Sequence, residues 1–271
     1  MLPLRDENPV RSTPVVTWLI VALCVGAYLL WQPGPFSNTS RDVEFNLRYA
    51  AIPCELVDNE PLSVDEVVAT FQFGDQQACG VGDPASPPFD PGKNVWVAVV
   101  VSMFLHGGLM HILGNLLFLW VFGNNIEDRL GKVGFALFYL AGGIVATASH
   151  VLVEPSSTVP LVGASGAIAA VMGAYLVWFP NAPVRTVVIF FLITILSIRA
   201  KWLLAFWFVL QFFTDPNDGV AWVAHVGGFA FGVVVALALR GVVGRPPART
   251  LPGPTDGWYR RPPPGGFGGR Y

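Results

Sequence analysis

Four polar side chains interrupt apolar stretches of this 271-residue chain at positions where they could do chemistry together. Ser165 lies in VGASGAIAAVMGAY (162–175), close to Gly163 and Gly166; His225 lies in AHVGG, and His111 and Asn115 lie in HILGN. A serine hydroxyl attacks a carbonyl only when a base takes its proton, and imidazole is the usual base. No acid has motif spacing to His225. Glu154, Asp215 and Asp218 are the only carboxylates near the outer helix ends, so the pattern predicts a Ser-His dyad. Metal is the rival use of the histidines. Zinc takes three or four ligands, no H-E-x-x-H occurs, and the carboxylates lie away from this layer, so neither a metal nor a cofactor is expected.

The elements that position these residues are membrane spans. The chain is 53% hydrophobic and only 13% charged, against about 25% charged in soluble domains. Uncharged runs cover 15–31, 133–153, 159–180, 202–213 and 220–239, several of them near the roughly 18–20 residues that a bilayer crossing needs. The reading is an all-α polytopic membrane protein with six spans: 15–32, 109–126, 133–153, 163–180, 200–214 and 222–240. The first resembles a signal peptide but lacks an A-x-A site and reads as an uncleaved anchor. The segment 95–105 suits an interfacial or re-entrant element. VRTVVIFFLITIL (184–196) is placed at the inner interface, because it would cover only about 20 Å as a helix.

Charge orients the bundle. With both ends on one side, that side holds thirteen basic and five acidic residues, or +8; the other holds three basic and thirteen acidic, or −10. The positive-inside rule makes the termini cytoplasmic, in a cell membrane read as a bacterial inner membrane. The domain division is a cytoplasmic segment 1–11, a membrane core 12–241 with a large outer loop 33–108, and a Pro/Gly-rich tail 242–271 expected to be disordered. Cys54 and Cys79 share the outer loop; they could pair or remain free thiols. The Asn38-Thr39-Ser40 sequon matters only in a glycosylating host.

Depth brings the polar residues together. Counted from the inner ends of the second, fourth and sixth spans at 1.5 Å per residue, His111, Asn115, Ser165 and His225 lie about 24, 18, 22 and 22 Å up. His111 and Asn115 are also i, i+4 and share a helix face. The stretch before Ser165 is too irregular for helix at full height, so the fourth helix should begin near Ser165 with free N–H groups directed at an anion-stabilising spot. A lone membrane serine usually bonds its own i−4 carbonyl, and Gly228-xxx-Gly232 alone usually means helix packing. The convergence of four such residues favours a site.

At these residues the chain resembles the rhomboid family of intramembrane serine proteases. The resemblance runs through MFLHGGLMHILGNLLFLWVFGNNIEDRLG (103–131), GASGAIAAVMGAY (163–175) and AHVGGFAFG (224–232). It implies a six-transmembrane-helix bundle with a large outer loop between helices 1 and 2. By motif position, Ser165 would be the nucleophile and His225 the general base and acid. His111, Asn115 and the Ser165 N–H would form the oxyanion hole, with Gly163 beside it. Glu127 would cap and brace backbone at the inner end of the second helix. Gly166, Gly228 and Gly232 would allow tight helix packing, and His106 would anchor the outer loop. Two departures stand out: Ala169 occupies the position where many members stack an aromatic ring on the histidine, and the first outer loop has no Trp-Arg pair. Met172, Trp222 and Phe229 are the candidates to orient His225 instead.

The implied activity is hydrolysis of peptide bonds in or near transmembrane segments of single-span or polytopic membrane proteins, within a lipid bilayer and without nucleic acid. A helical substrate must unwind before its carbonyls can be attacked, so helix-weakening or small residues are expected near the scissile bond. By the same resemblance, the aromatic fifth helix would flank substrate entry. A non-proteolytic rhomboid-like binder of membrane proteins is the alternative. A transporter would show inverted repeats and midplane carboxylates, and neither is visible.

Overall fold

The computed structural model describes residues 1–33, 39–189, 193–214 and 221–242. The expected tail beyond Val242, Asn38 of the sequon, Asp215 and Asp218 lie outside the described residues. The chain begins with a strand, β1 (Leu2–Asp6), followed by helix α1 (Val15–Gly26), which ends in a π-helical turn over Ala27–Trp31. Four short helices follow: α2 (Thr39–Tyr49), α3 (Pro53–Asp58), α4 (Val64–Phe73) and α5 (Val95–Ser102). Next comes the long α6 (Leu109–Val153), then α7 (Ser165–Trp178), strands β2 (Pro183–Ile189) and β3 (Ile193–Arg199), α8 (Ala200–Gln211) and α9 (Trp222–Ala238).

Helix α6 is two rods joined at Gly131, whose φ of 74° and ψ of 165° break the helix. Each rod rises about 33 Å, enough to cross a hydrocarbon layer of about 30 Å. Among the described residues this is the one helix long and apolar enough to span by length and composition. Val15–Trp31, α7, α8 and α9 are apolar but run 17 residues or fewer. Their shortness has a local cause at α7, where Gly163 adopts a φ of 130° and the helix begins only at Ser165.

The all-α expectation needs correction. The described residues of 184–196, expected as an interfacial element of helical length, belong to the antiparallel strands β2 and β3, in which Val184 pairs with Ile198 and Thr186 with Leu196. β1 adds a third antiparallel strand, in the order β1-β2-β3. The reason lies in the side chains: VRTVVI and ITIL are crowded with β-branched residues, which favour the pleated backbone. The N-terminal segment 1–11, expected as a separate cytoplasmic segment, is therefore packed onto the core through β1.

Burial at this end creates a pH-dependent contact. Asp6 is 6% exposed, and its Oδ2 accepts hydrogen bonds from the Tyr175 hydroxyl at 2.8 Å and from Asn125 Nδ2. Loss of hydration raises the carboxyl from 3.8 to about 6 against the pull of those donors. A raised carboxylate penalises the ionised folded state. The contribution to stability is full below about 3.8 and is lost as pH rises through about 6. Asp6→Asn should accordingly stabilise the fold at neutral pH by an amount on the order of 2 kcal/mol, read as a higher thermal midpoint in detergent, and flatten the pH dependence between these two values.

At the opposite end, the described part of the outer loop has a small core of its own: Leu47, Ile52, Cys54 and Leu62, with Val67 and Phe89 against them. Ser63 and Glu66 form a reciprocal capping box at the start of α4. Lys93 and Glu55 make an ion pair with both side chains almost wholly buried. The pairing left open by the sequence is made: Cys54 and Cys79 form a disulfide across Cα atoms 5.7 Å apart. Closing that 25-residue separation should contribute about 3.5 kcal/mol by the chain-entropy account. Cys54→Ser/Cys79→Ser should lower the thermal midpoint in detergent, and a reductant should then have no further effect.

Candidate functional site

The site is assembled where α6, α7, α8 and α9 meet beneath the outer loop. Helix α7 opens at Ser165 with no side-chain cap, so the hydroxyl is not engaged in closing its own helix end. Ile168 N–H bonds the Ala164 carbonyl at 3.0 Å, and the N–H groups of Ser165, Gly166 and Ala167 have no intrahelical acceptor. The chain arrives through Gly163, whose N–H donates to the Ser102 carbonyl at 2.9 Å. Ser102 also accepts from Ala51 N–H through its hydroxyl, at 2.6 Å. One serine therefore ties the outer loop to the turn before Ser165.

His225 occupies the first turn of α9, and its Nε2 lies 2.8 Å from Ser165 Oγ. The approach depends on backbone against backbone. A Cβ on Gly228 would strike the Gly166 carbonyl oxygen, and one on Gly232 would strike that of Ala170. Gly166 also packs closely on a third rod, where a Cβ would meet Ala146 Cβ at 2.6 Å. At the inner end, Trp178 Nε1 donates to the Ala236 carbonyl at 2.9 Å and completes the α7–α9 seam.

His111 and Asn115 follow on the first rod of α6. Gly107 N–H donates to His111 Nδ1 across a long 3.4 Å, which leaves Nε2 as the protonated nitrogen. That Nε2 faces Gly163: a Cβ built there would lie 2.8 Å from it and 3.5 Å from Ser165 Oγ. Asn115 is 8% exposed, one turn further in on the same face. Its Nδ2 is buried with no hydrogen-bond partner among the described residues. A buried amide without a partner is costly, and the site spends that cost on a donor. A cavity of about 40 Å³ opens beside Ser165, bounded by Met103, Leu161, Gly163 and Ala224 among others. A larger one, about 460 Å³, lies in the outer loop and touches none of these residues.

The remaining sequence-predicted residues stand apart from the reacting atoms. His106 packs edge-on against His111 with centroids 5.3 Å apart. Its backbone is clasped by Gln32, which accepts from His106 N–H at 3.0 Å and donates to its carbonyl at 2.9 Å. Glu127 is at the other end of the rod, where its carboxylate accepts from Val16 N–H, Thr17 N–H and Thr17 Oγ1 at 2.9, 2.7 and 2.8 Å. It supplies the cap that α1 lacks from its own sequence.

Sequence reasoning missed Gln211. Its Oε1 lies 2.7 Å from His225 Nδ1, and Trp207, one turn earlier on α8, sets its ring 5.9 Å from the imidazole. Of the candidates considered for orienting His225, Phe229 stacks with Trp207, Trp222 lies against Phe212, and Met172 is buried in the core. The signal was present. Gln211 is the one amide in the apolar run AKWLLAFWFVLQFF.

Residues 93–241 match the family model for the rhomboid domain, more than half of the chain. The chain is 32% identical over 143 residues to YdcA of Bacillus subtilis, whose name marks it as a candidate rhomboid protease; the match covers 52% of this chain and 66% of that protein. It is 37% identical over 81 residues to the rhomboid protease GluP of the same organism, covering 30% of this chain and 15% of that one. Rhomboid-related protein 2 of Mus musculus is 33% identical over 134 residues, or 47% and 43% of the two chains. The aligned stretch thus spans less than two thirds of the length of each of these relatives. With the helical core, the matched domain and these likenesses taken together, the chain belongs to the rhomboid family of polytopic membrane proteins.

Proposed function

We propose that this protein is an intramembrane serine endopeptidase that cuts peptide bonds in or near transmembrane segments of other membrane proteins, using Ser165 and His225. The observation that carries the reading is the 2.8 Å contact between Ser165 Oγ and His225 Nε2, at the start of a helix whose first N–H groups are free. His225 Nε2 takes the Oγ proton as Oγ bonds to the substrate carbonyl carbon. The oxyanion that forms is held by Ser165 N–H, Asn115 Nδ2 and His111 Nε2. His225 returns the proton to the leaving amine nitrogen as the C–N bond breaks. Water then repeats the attack on the acyl-enzyme, with His225 again serving as base and acid. The small cavity beside Ser165 has room for a small side chain and not a bulky one, which fits a preference for small residues at the scissile bond.

The chain crosses the bilayer six times on this reading: as Val15–Trp31, the two rods of α6, α7, α8 and α9. Both ends are cytoplasmic and the outer loop faces the opposite side. The charge partition supports this orientation, and so does the Cys54–Cys79 disulfide, which belongs on an oxidising side.

A fluorophosphonate probe and a single-span substrate in liposomes test the proposal. The wild type should be labelled at Ser165 and should cut the substrate. Labelling and cleavage that persist in Ser165→Ala would overturn the assignment. An unlabelled wild type that still captures the intact substrate would establish a binder instead.

A further inference from the structure

The mechanism above uses one nitrogen of His225 and leaves open what holds the other. We propose that Gln211 is the positioning residue for His225, a neutral third member of a Gln211–His225–Ser165 relay that fixes the ring's tautomer and its orientation. The inference rests on the peptidase reading for its catalytic meaning.

Both ring nitrogens are engaged, Nδ1 with Gln211 Oε1 at 2.7 Å and Nε2 with Ser165 Oγ at 2.8 Å. The direction of the amide is set independently. Gln211 Nε2 donates to the Trp207 carbonyl at 3.0 Å; turned over, the amide would set one acceptor against another there. The oxygen therefore faces the imidazole, and a carbonyl oxygen only accepts. It follows that Nδ1 carries the hydrogen and that Nε2 presents its lone pair to the serine hydroxyl, the tautomer a general base needs.

Burial argues the same way. Gln211 is 7% exposed, at the end of the apolar run from Trp202 to Leu210 on α8. An amide there is expensive unless both ends are bonded, and these two contacts bond both ends. Trp207 limits ring rotation from the same face of α8, since it stands four residues before Gln211. Among the described residues no carboxylate is hydrogen-bonded to His225, and the titratable groups whose charge acts on it are His111 and His150 on α6. A neutral partner orients the ring without the charge that a carboxylate would lend to the imidazolium, so its removal should cost less than the ~10⁴-fold lost when a charged triad orienter is made neutral.

The test compares wild type, Gln211→Met and Gln211→Glu in proteoliposomes, measuring kcat and KM for a single-span substrate across the range in which imidazole titrates. Gln211→Met keeps the length and loses the acceptor; kcat should fall about 10- to 100-fold with KM little changed. Gln211→Glu should stay active and move the acidic limb of the kcat profile up by about one pH unit, because a carboxylate makes the imidazole more basic. A purely structural side chain would lower the thermal midpoint and leave that limb in place. Nitrogen-15 NMR of labelled histidine reads the tautomer without turnover, and His225 should be protonated at Nδ1 in the wild type. The inference is overturned if the wild-type ring carries its proton on Nε2, if Gln211→Met keeps kcat within about twofold, or if Gln211→Glu leaves the acidic limb unmoved. Failure of the wild type to cut, with Nδ1 protonated, would remove the peptidase reading and leave the positioning contact standing.

Discussion

Ser165→Ala and His225→Ala are each expected to lower substrate cleavage by about 10⁴-fold or more, and the double variant to lose little beyond the worse single one. The non-additivity is the informative part. Two groups joined by a 2.8 Å hydrogen bond act as one unit: without the base the hydroxyl is not activated, and without the hydroxyl the base has nothing to deprotonate. Independent roles, such as substrate binding by one and catalysis by the other, would give losses that multiply. Ser165 closes no helix cap, so Ser165→Ala should keep its thermal midpoint in detergent near the wild-type value while initial rates collapse. His225→Ala leaves the Gly228 and Gly232 contacts with α7 in place but removes the partner of the buried Gln211 Oε1, so its midpoint should fall modestly.

The candidate site was more legible in the sequence than the fold around it, for a physical reason. A polar side chain in an apolar run is conspicuous because the bilayer penalises it, and counting residues along a rigid rod turns position into depth. Ser165, His225, His111 and Asn115 were found that way. Gln211 carries the same signal, but depth was counted only on the rods expected to run inward, and α8 runs the other way. The pair of strands β2 and β3 was hidden by composition, since VRTVVIFFLITIL is as apolar as a helix of equal length. Only its β-branched content distinguished it. The outer loop's core was hidden for the opposite reason. Its buried contacts, Cys54 with Cys79 and Lys93 with Glu55, join residues whose separation in the chain says nothing about distance in space. The start of the fourth helix was legible. Residues 159–164 continue its hydrophobic run, but the irregular stretch before Ser165 argued against helix there; α7 begins at Ser165, after the φ of 130° at Gly163, and brings free N–H groups to the serine.

Asn115→Ala is expected to reduce kcat about 10²- to 10³-fold, or about 3–4 kcal/mol, with KM nearly unchanged. A donor aimed at charge that exists only in the transition state contributes little to substrate binding. The same substitution should leave the thermal midpoint unchanged or raise it. Truncating a buried polar side chain normally destabilises a protein because a partner is orphaned. Here Nδ2 is itself without a partner among the described residues, and its removal relieves a desolvation cost of about 1–3 kcal/mol. Activity and stability should therefore move in opposite directions, which damage to the α6 rod could not produce. Gly163→Ala provides the contrasting case. Its new Cβ would lie 2.8 Å from His111 Nε2 on a backbone held at a φ of 130°, so the turn must shift and carry Ser165 N–H with it. Rate and thermal midpoint should fall together in that variant. If Asn115→Ala also lost both, its amide would be a packing element and the oxyanion would have to be held by Ser165 N–H and His111 alone.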